Sequence, residues 1–186
     1  MAEEETRSSE RIYAGRVVSL RVDTVQLADG RLTRREIVEH GAAVAIVALD
    51  ASGTVLLVRQ YRKPVESHLL EIPAGGVEPG EDPAEAARRE LQEETGFVPR
   101  KLEHLVSFYT TPGFSTELMH LYLATELEPD RLPSDDDESI QVVRLPLTDV
   151  VRFIAQGEIA DAKTLVGLLM VVHRLSRPTD RGEGVR

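Results

Sequence analysis

The chain has no cysteine among its 186 residues. Disulfides, thiolate nucleophiles and sulfur-ligated zinc are thereby excluded, and a cytoplasmic location is the expectation compatible with that composition. No apolar run reaches the roughly 18 residues a transmembrane helix needs, so no membrane partner is expected. Aromatic residues make up only 4% of the chain, and its core must be built from aliphatic side chains. The first ten residues, MAEEETRSSE, lack the basic and apolar regions of a signal peptide. Positive charge is also in deficit: 22 Lys and Arg face 32 Asp and Glu, a net charge of −10. So acidic a surface repels polyphosphate backbones, which argues against nucleic acid as a partner. A small anionic substrate would need local cations, either a metal or a few placed arginines. The length suits one domain with a sizeable core and a small extra arm, and leaves no room for a second catalytic domain.

What is present centres on Gly75 to Phe97, GGVEPGEDPAEAARRELQEETGF. Asp82 is a good N-cap, Pro83 falls at the first helical position, and Glu85 follows three residues after the cap as in a capping box. Strong helix formers continue to Thr95, and Gly96 is placed to end the run in a left-handed conformation. The pattern predicts one helix over 83–95, roughly 13 residues and about 20 Å long. On it Glu90 stands above Glu93 and Glu94 along one side. Arg88 and Arg89 offset part of their repulsion, yet negative charge in a last turn opposes the helix dipole. A hard divalent cation would resolve the conflict, because carboxylate oxygens are the ligands Mg2+ prefers. Read alone, such a run is a solvated helix end.

The run is not alone. Gly75, Glu81, Arg89, Glu90, Leu91, Glu93, Glu94, Gly96 and Phe97 occupy every fixed position of the pattern GX5EX7REUXEEXGU, with U apolar. The stretch resembles the Nudix box of the Nudix hydrolases, which cleave nucleoside diphosphates linked to another moiety and use divalent metal on this loop-helix-loop. The resemblance implies an α/β fold: a Nudix α/β/α sandwich with a mixed central sheet, plus an N-terminal antiparallel β arm. It also implies roles. Glu90 and Glu94 would hold Mg2+, with Mn2+ or another divalent cation as alternatives, and Glu93 would complete the shell or anchor its waters. Arg89 would orient the carboxylates, and Glu81 would brace the loop.

The rest of the chain reads as support for that stretch. Residues 1–10 are expected to be disordered, as is the tail 177–186. An arm over 11–40 has alternating β-rich segments around an Ala28-Asp29-Gly30 turn, and the main domain spans 41–176. AAVAIVAL (42–49) and TVLLVRQY (54–61) read as a hairpin of the core sheet. An N-terminal sheet outside the core resembles the ADP-ribose pyrophosphatase branch of the family, where the arm packs across a homodimer; the alternative is a hairpin packed on its own domain. LLEIPAGGVEPGE (69–81) is typical of the same branch. There the carbonyl matching Ala74 joins the metal shell, the arginine matching Arg62 holds phosphate, and the carboxylate matching Glu71 lies beside the substrate.

Strand-like KLEHLVSFYTT (101–111) and TELMHLYLATEL (116–127) flank Pro112-Gly113-Phe114-Ser115, a turn in physical terms. Pro112 lies fifteen positions after Phe97, a spacing that resembles the mark of ADP-ribose-specific members, and Glu117 takes the place of the glutamate that follows. PSDDDES (133–139) reads as a solvated acidic loop; the resemblance makes Glu138 the general base, with Asp136 and Asp137 as fallbacks. The segment 147–158, capped by Thr148 or Asp149, and the more apolar 162–175 read as supporting helices, His173 being structural. His40, His68, His104 and His120 show no zinc spacing.

The reaction implied is hydrolysis of ADP-ribose, a small-molecule partner, to AMP and ribose 5-phosphate. The alternatives are another nucleoside diphosphate sugar such as GDP-mannose, a dinucleotide, or a non-catalytic ADP-ribose sensor.

Overall fold

The computed structural model describes residues 4–130 and 140–176. Two sheets organise it. The first is antiparallel, in the order β1 (Glu5–Ala14), β2 (Ser19–Gln26), β3 (Leu32–Glu39). Here the expected disorder of residues 1–10 is corrected for Glu5 to Glu10, which belong to β1 and pair with β2 from Glu5↔Gln26 onward. The polar composition suggested disorder, but backbone ladders and cross-strand contacts stabilise the strand without burial. Arg7 Nε donates to Gln26 Oε1 at 2.9 Å and Arg35 Nε to Glu4 Oε2 at 3.0 Å.

The second sheet is mixed. Its strands β4 (Ala43–Leu49), β5 (Thr54–Arg62), β8 (Phe97–Tyr109), β9 (Leu118–Pro129) and β10 (Gln141–Pro146) run in the order β10-β5-β4-β9-β8. β4 and β9 are parallel and the other neighbours antiparallel. β4 is a continuous apolar run, as expected of a strand covered on both faces. Its alternate residues divide between two cores: Ala45 and Val47 face α2 (Val150–Ala155) and α3 (Ala162–Ser176), whereas Val44 and Ile46 face α1 (Pro83–Thr95). This is the three-layer α/β/α sandwich that the sequence predicts. No helix among the described residues is long and apolar enough to cross a membrane.

The expected hairpin of β4 and β5 holds only beside its turn, at Ala48↔Leu56 and Leu49↔Val55. Beyond that the two strands part, and the chain returns between them. β6 (Ser67–Glu71) pairs with β5, and β7 (Ala74–Gly76) pairs with β4. Pro73 O accepts from Ile46 N at 2.8 Å. The split therefore delivers Glu71, Ala74 and Gly75 from the middle of the sheet to the start of the loop leading into α1.

Among the described residues the arm is hydrogen-bonded to the loop between β8 and β9. Val38 N donates to Phe114 O at 2.8 Å, Thr116 N donates to Val38 O at 3.0 Å, and a parallel bridge joins Val38 to Ser115. The end of the arm thus holds the loop between β8 and β9.

Candidate active site

α1 starts and stops where its caps require. Asp82 Oδ1 accepts from Ala84 N at 2.8 Å, Pro83 opens the first turn, and Gly96 closes the last with φ 74°. Burial of Ala86, Ala87 and Leu91 against the sheet fixes the rotation of the helix about its axis. Consequently Arg89, Glu90, Glu93 and Glu94 face the loop arriving from β7.

Arg89 is the hub. Its Nε and Nη2 donate to Glu81 Oε1 and Oε2, each at 3.0 Å, and Nη2 also reaches Gly76 O at 3.0 Å. Nη1 donates to Glu90 Oε1 at 2.7 Å and Glu93 Oε2 at 3.3 Å. One guanidinium thereby fixes three carboxylates and a loop carbonyl, using the planar fork that lysine lacks. The hydrogen bonds to Glu81 lead in raising the Arg89 pKa above its already high ordinary value, and the Glu81 carboxyl is lowered by the same pairing. Glu90 moves the other way. Burial outweighs its hydrogen bond from Arg89 and pushes its pKa above the usual carboxylate value. It is a carboxylate short of positive charge.

Gly75 is a glycine for a steric reason. A Cβ there would lie 2.0 Å from Glu90 Cδ, so any side chain would displace the carboxylate. Across the same loop, Ala74 N donates to Glu94 Oε2 at 3.1 Å, which puts the Ala74 peptide beside the last turn of α1.

Among the described residues no group of three or more His, Asp or Glu side chains converges to hold a metal ion by itself. Glu90, Glu94 and the Ala74 carbonyl nevertheless fit a hard divalent cation in kind. All are oxygen donors, and a Mg2+-like ion brings waters and substrate phosphates to complete its shell. The electrostatic deficit at Glu90 is what such an ion would relieve.

A second cluster lies beside the first. Arg62 Nε and Nη2 donate to Glu71 Oε1 and Oε2 at 2.8 Å each. Glu71 is 1% exposed and also takes a hydrogen bond from Lys163 Nζ. Burial alone would raise its pKa, but hydrogen bonds from Arg62 and the charge of Lys163 prevail, and the carboxyl is held below its ordinary value. The field of Glu94 contributes to raising the pKa of Arg62, which ties this cluster electrostatically to α1.

Pro112 and Glu117 sit on the loop gripped by the arm. Glu117 Oε2 accepts from Thr110 Oγ1 at 2.6 Å, and Oε1 lies 3.6 Å from His40 Nδ1. Glu138, with Asp136 and Asp137, lies outside the described residues. Of the expected site residues, the structure brings together Ala74, Arg89, Glu90, Glu93 and Glu94, and sets Arg62 with Glu71 next to them. Sequence reasoning missed Asp161, Lys163 and Thr164. An Asp two residues before a Lys-Thr pair at a helix start was a readable cap signal, but nothing local pointed Lys163 at Glu71.

A loop-helix-loop bearing this arginine-ordered carboxylate set, laid on a mixed sheet in a three-layer sandwich, defines the class. Residues 39–166 match the NUDIX domain, and the chain belongs to the Nudix hydrolase family. Residues 4–38 match the nucleoside diphosphate sugar hydrolase N-terminal domain. The chain is 43% identical to the ADP-ribose pyrophosphatase of Bacillus subtilis (strain 168), over 87% of this chain and 89% of the relative. It is 44% identical to the methanol dehydrogenase activator of Bacillus methanolicus, over 89% and 91%. A crystal structure described as ADP compounds hydrolase superposes with a TM-score of 0.85 at 26% identity, covering 93% of this chain and 94% of that one.

Proposed function

We propose that this chain hydrolyses the diphosphate of ADP-ribose to AMP and ribose 5-phosphate, with Mg2+ as the ion in the cell and Mn2+ able to replace it. One observation carries the reading: Arg89 orders Glu81, Glu90 and Glu93 beside an Ala74-anchored Glu94, in a chain similar over most of its length to an ADP-ribose pyrophosphatase.

A diphosphate carries charge on both phosphates and repels an attacking hydroxide. Bound divalent ions neutralise those oxygens and lower the pKa of water. The protein's part is to hold and orient. Glu90, Glu94 and the Ala74 carbonyl would hold the ion, Glu93 would anchor its waters, and Arg89 fixes the carboxylates without touching substrate. Arg62 donates to a phosphate, with Glu71 behind it, while Pro112 and Glu117 shape the pocket that selects ADP-ribose. Glu138 takes the proton of the attacking water. The working form is a homodimer in the cytoplasm.

The test is turnover of a panel of nucleoside diphosphate derivatives by purified protein with Mg2+. ADP-ribose is expected to give the highest kcat/KM, with AMP and ribose 5-phosphate as products. A higher value for GDP-mannose or a dinucleotide overturns the substrate assignment. Tight ADP-ribose binding without turnover of any compound would make the chain a sensor.

A further inference from the structure

α3 begins beside β6, and its first turn is stitched to that strand. Asp161 Oδ2 accepts from Thr164 N at 3.0 Å and from Thr164 Oγ1 at 2.6 Å, while the same hydroxyl accepts from Ile72 N at 2.9 Å. Lys163 projects from this turn with its side chain 12% exposed. Its Nζ donates to Asp161 Oδ2 at 3.0 Å and to Glu71 Oε2. The ammonium is therefore held from two sides and has little freedom to leave. On the far side of Glu71, Arg62 makes its bidentate fork through Nε and Nη2, which leaves Nη1 for another acceptor, and its side chain remains 39% exposed.

We infer that Lys163 is a positioning residue: by pinning and neutralising buried Glu71, it keeps the Arg62 guanidinium aimed and electrostatically available for a substrate phosphate. The inference rests on the reading of Arg62 as the phosphate-holding residue. A buried carboxylate with one cationic partner cancels that partner's charge, because little water is present to screen it. Were Glu71 paired with Arg62 alone, an incoming diphosphate would meet half of a neutral pair. Lys163, although shared with Asp161, takes up part of the Glu71 charge, so that carboxylate is not the partner of Arg62 alone and the fork retains attraction for an anion. It also fixes the plane of the Glu71 carboxylate, and the plane of a bidentate guanidinium follows from it. A lysine that only anchored α3 to β6 would duplicate Asp161 and Thr164, which already make that connection without Glu71.

The test is steady-state kinetics on Lys163→Met in the full-length enzyme with ADP-ribose and saturating Mg2+, in wild-type and Arg62→Ala backgrounds. KM is expected to rise about tenfold while kcat falls at most about threefold. In the Arg62→Ala background the same substitution should change KM by less than about twofold, since the group it serves is gone. Lys163→Arg, which keeps the charge, should restore KM to within about threefold of wild type. If Lys163→Met does not fold by circular dichroism, Lys163→Gln, which is one bond shorter and carries no charge, takes its place with the same expected KM. An unchanged KM in the neutral variant, or an equal rise with and without Arg62, overturns the inference. An enzyme active on ADP-ribose with unchanged KM defeats only the Lys163 assignment, whereas a wild type inactive on every nucleoside diphosphate derivative defeats the reading of the site as well.

Discussion

Single residues set the chemistry through their charge balance. Glu94 is held on Oε2 by the Ala74 N–H, and replacing it with glutamine preserves shape while removing half the charge offered to the ion. Glu94→Gln is expected to lower turnover by about two to four orders of magnitude with little loss of folding, and to abolish the rise in thermal midpoint that Mg2+ gives the wild type. Wild-type activity of this variant under limiting Mg2+ would remove Glu94 from the metal site. Glu71 gives a prediction of a different kind. Its folded pKa lies below the usual glutamate value, so it contributes stability that is fully present above the unfolded carboxyl's pKa and is lost as pH falls through the folded value. Glu71→Gln leaves Arg62 and Lys163 without their shared anion and should cost about 3 kcal/mol at pH 7, the low end for a broken buried pair because both cations keep some solvent. The gap between variant and wild type should narrow as pH falls through that folded value, where the native wild-type carboxyl protonates too. Urea titrations from pH 7 to 3 measure it, and a pH-independent gap would disconnect Glu71 from the pair. Glu90, Glu93 and Glu94 were legible in the sequence as a set because they sit within one helix. Lys163 was not, because its partner Glu71 is 92 positions away.

At the scale of elements the same division holds. α1 was readable to the residue, since Asp82, Pro83 and Gly96 act on their own neighbours and the burial of Leu91 follows from helical spacing. The β4–β5 pair was readable only near its turn. The insertion of β6 and β7 into the split depends on contacts such as Ile46 with Pro73, which no local pattern announces. The first six residues of β1 were missed because Glu5 to Glu10 include no apolar residue to mark a strand. α3 approaches the sheet through Gly167. A Cβ there would lie 2.8 Å from Val47 Cγ2, 3.0 Å from Ile72 Cδ1 and 3.1 Å from Leu121 Cδ1, all well-buried side chains. Overpacking costs about 1–3 kcal/mol, and the gain in helix propensity of Ala over Gly is about 1 kcal/mol. Gly167→Ala should therefore destabilise by about 1 kcal/mol in chemical denaturation. A more stable variant would mean that α3 shifts freely on the sheet, and with it Lys163.

Over the whole molecule, the arm has the least reason to stand as it does. A small sheet that buries little apolar surface is marginal in water; Val25 of β2 is buried, but β1, at the end of the order β1-β2-β3, has no further strand beside it among the described residues. Ile12 is 51% exposed, Tyr13 58%, Val17 64% and Leu32 63%. Residues 4–39 also carry seven arginines against seven acids. The chain's net charge of −10 resides outside the arm, which makes the arm the surface best suited to approach another copy without repulsion. Apolar exposure, an open edge and charge neutrality thus coincide in the sheet that ends on the Pro112 loop. Light scattering after size exclusion is expected to give twice the 20.6 kDa of one chain. The double substitution Ile12→Asp and Tyr13→Asp should return the mass to that of a single chain, because two desolvated charges cost far more than an interface of this kind supplies. The dissociated variant should keep its Mg2+-dependent gain in thermal midpoint, since Glu90 and Glu94 lie on α1, which packs on the other sheet, while losing affinity for ADP-ribose if the partner's arm completes the pocket. A wild-type chain that runs at 20.6 kDa at micromolar concentration would leave those apolar residues without a dimeric role, and the arm would then serve only to hold Val38 against Phe114 and Thr116.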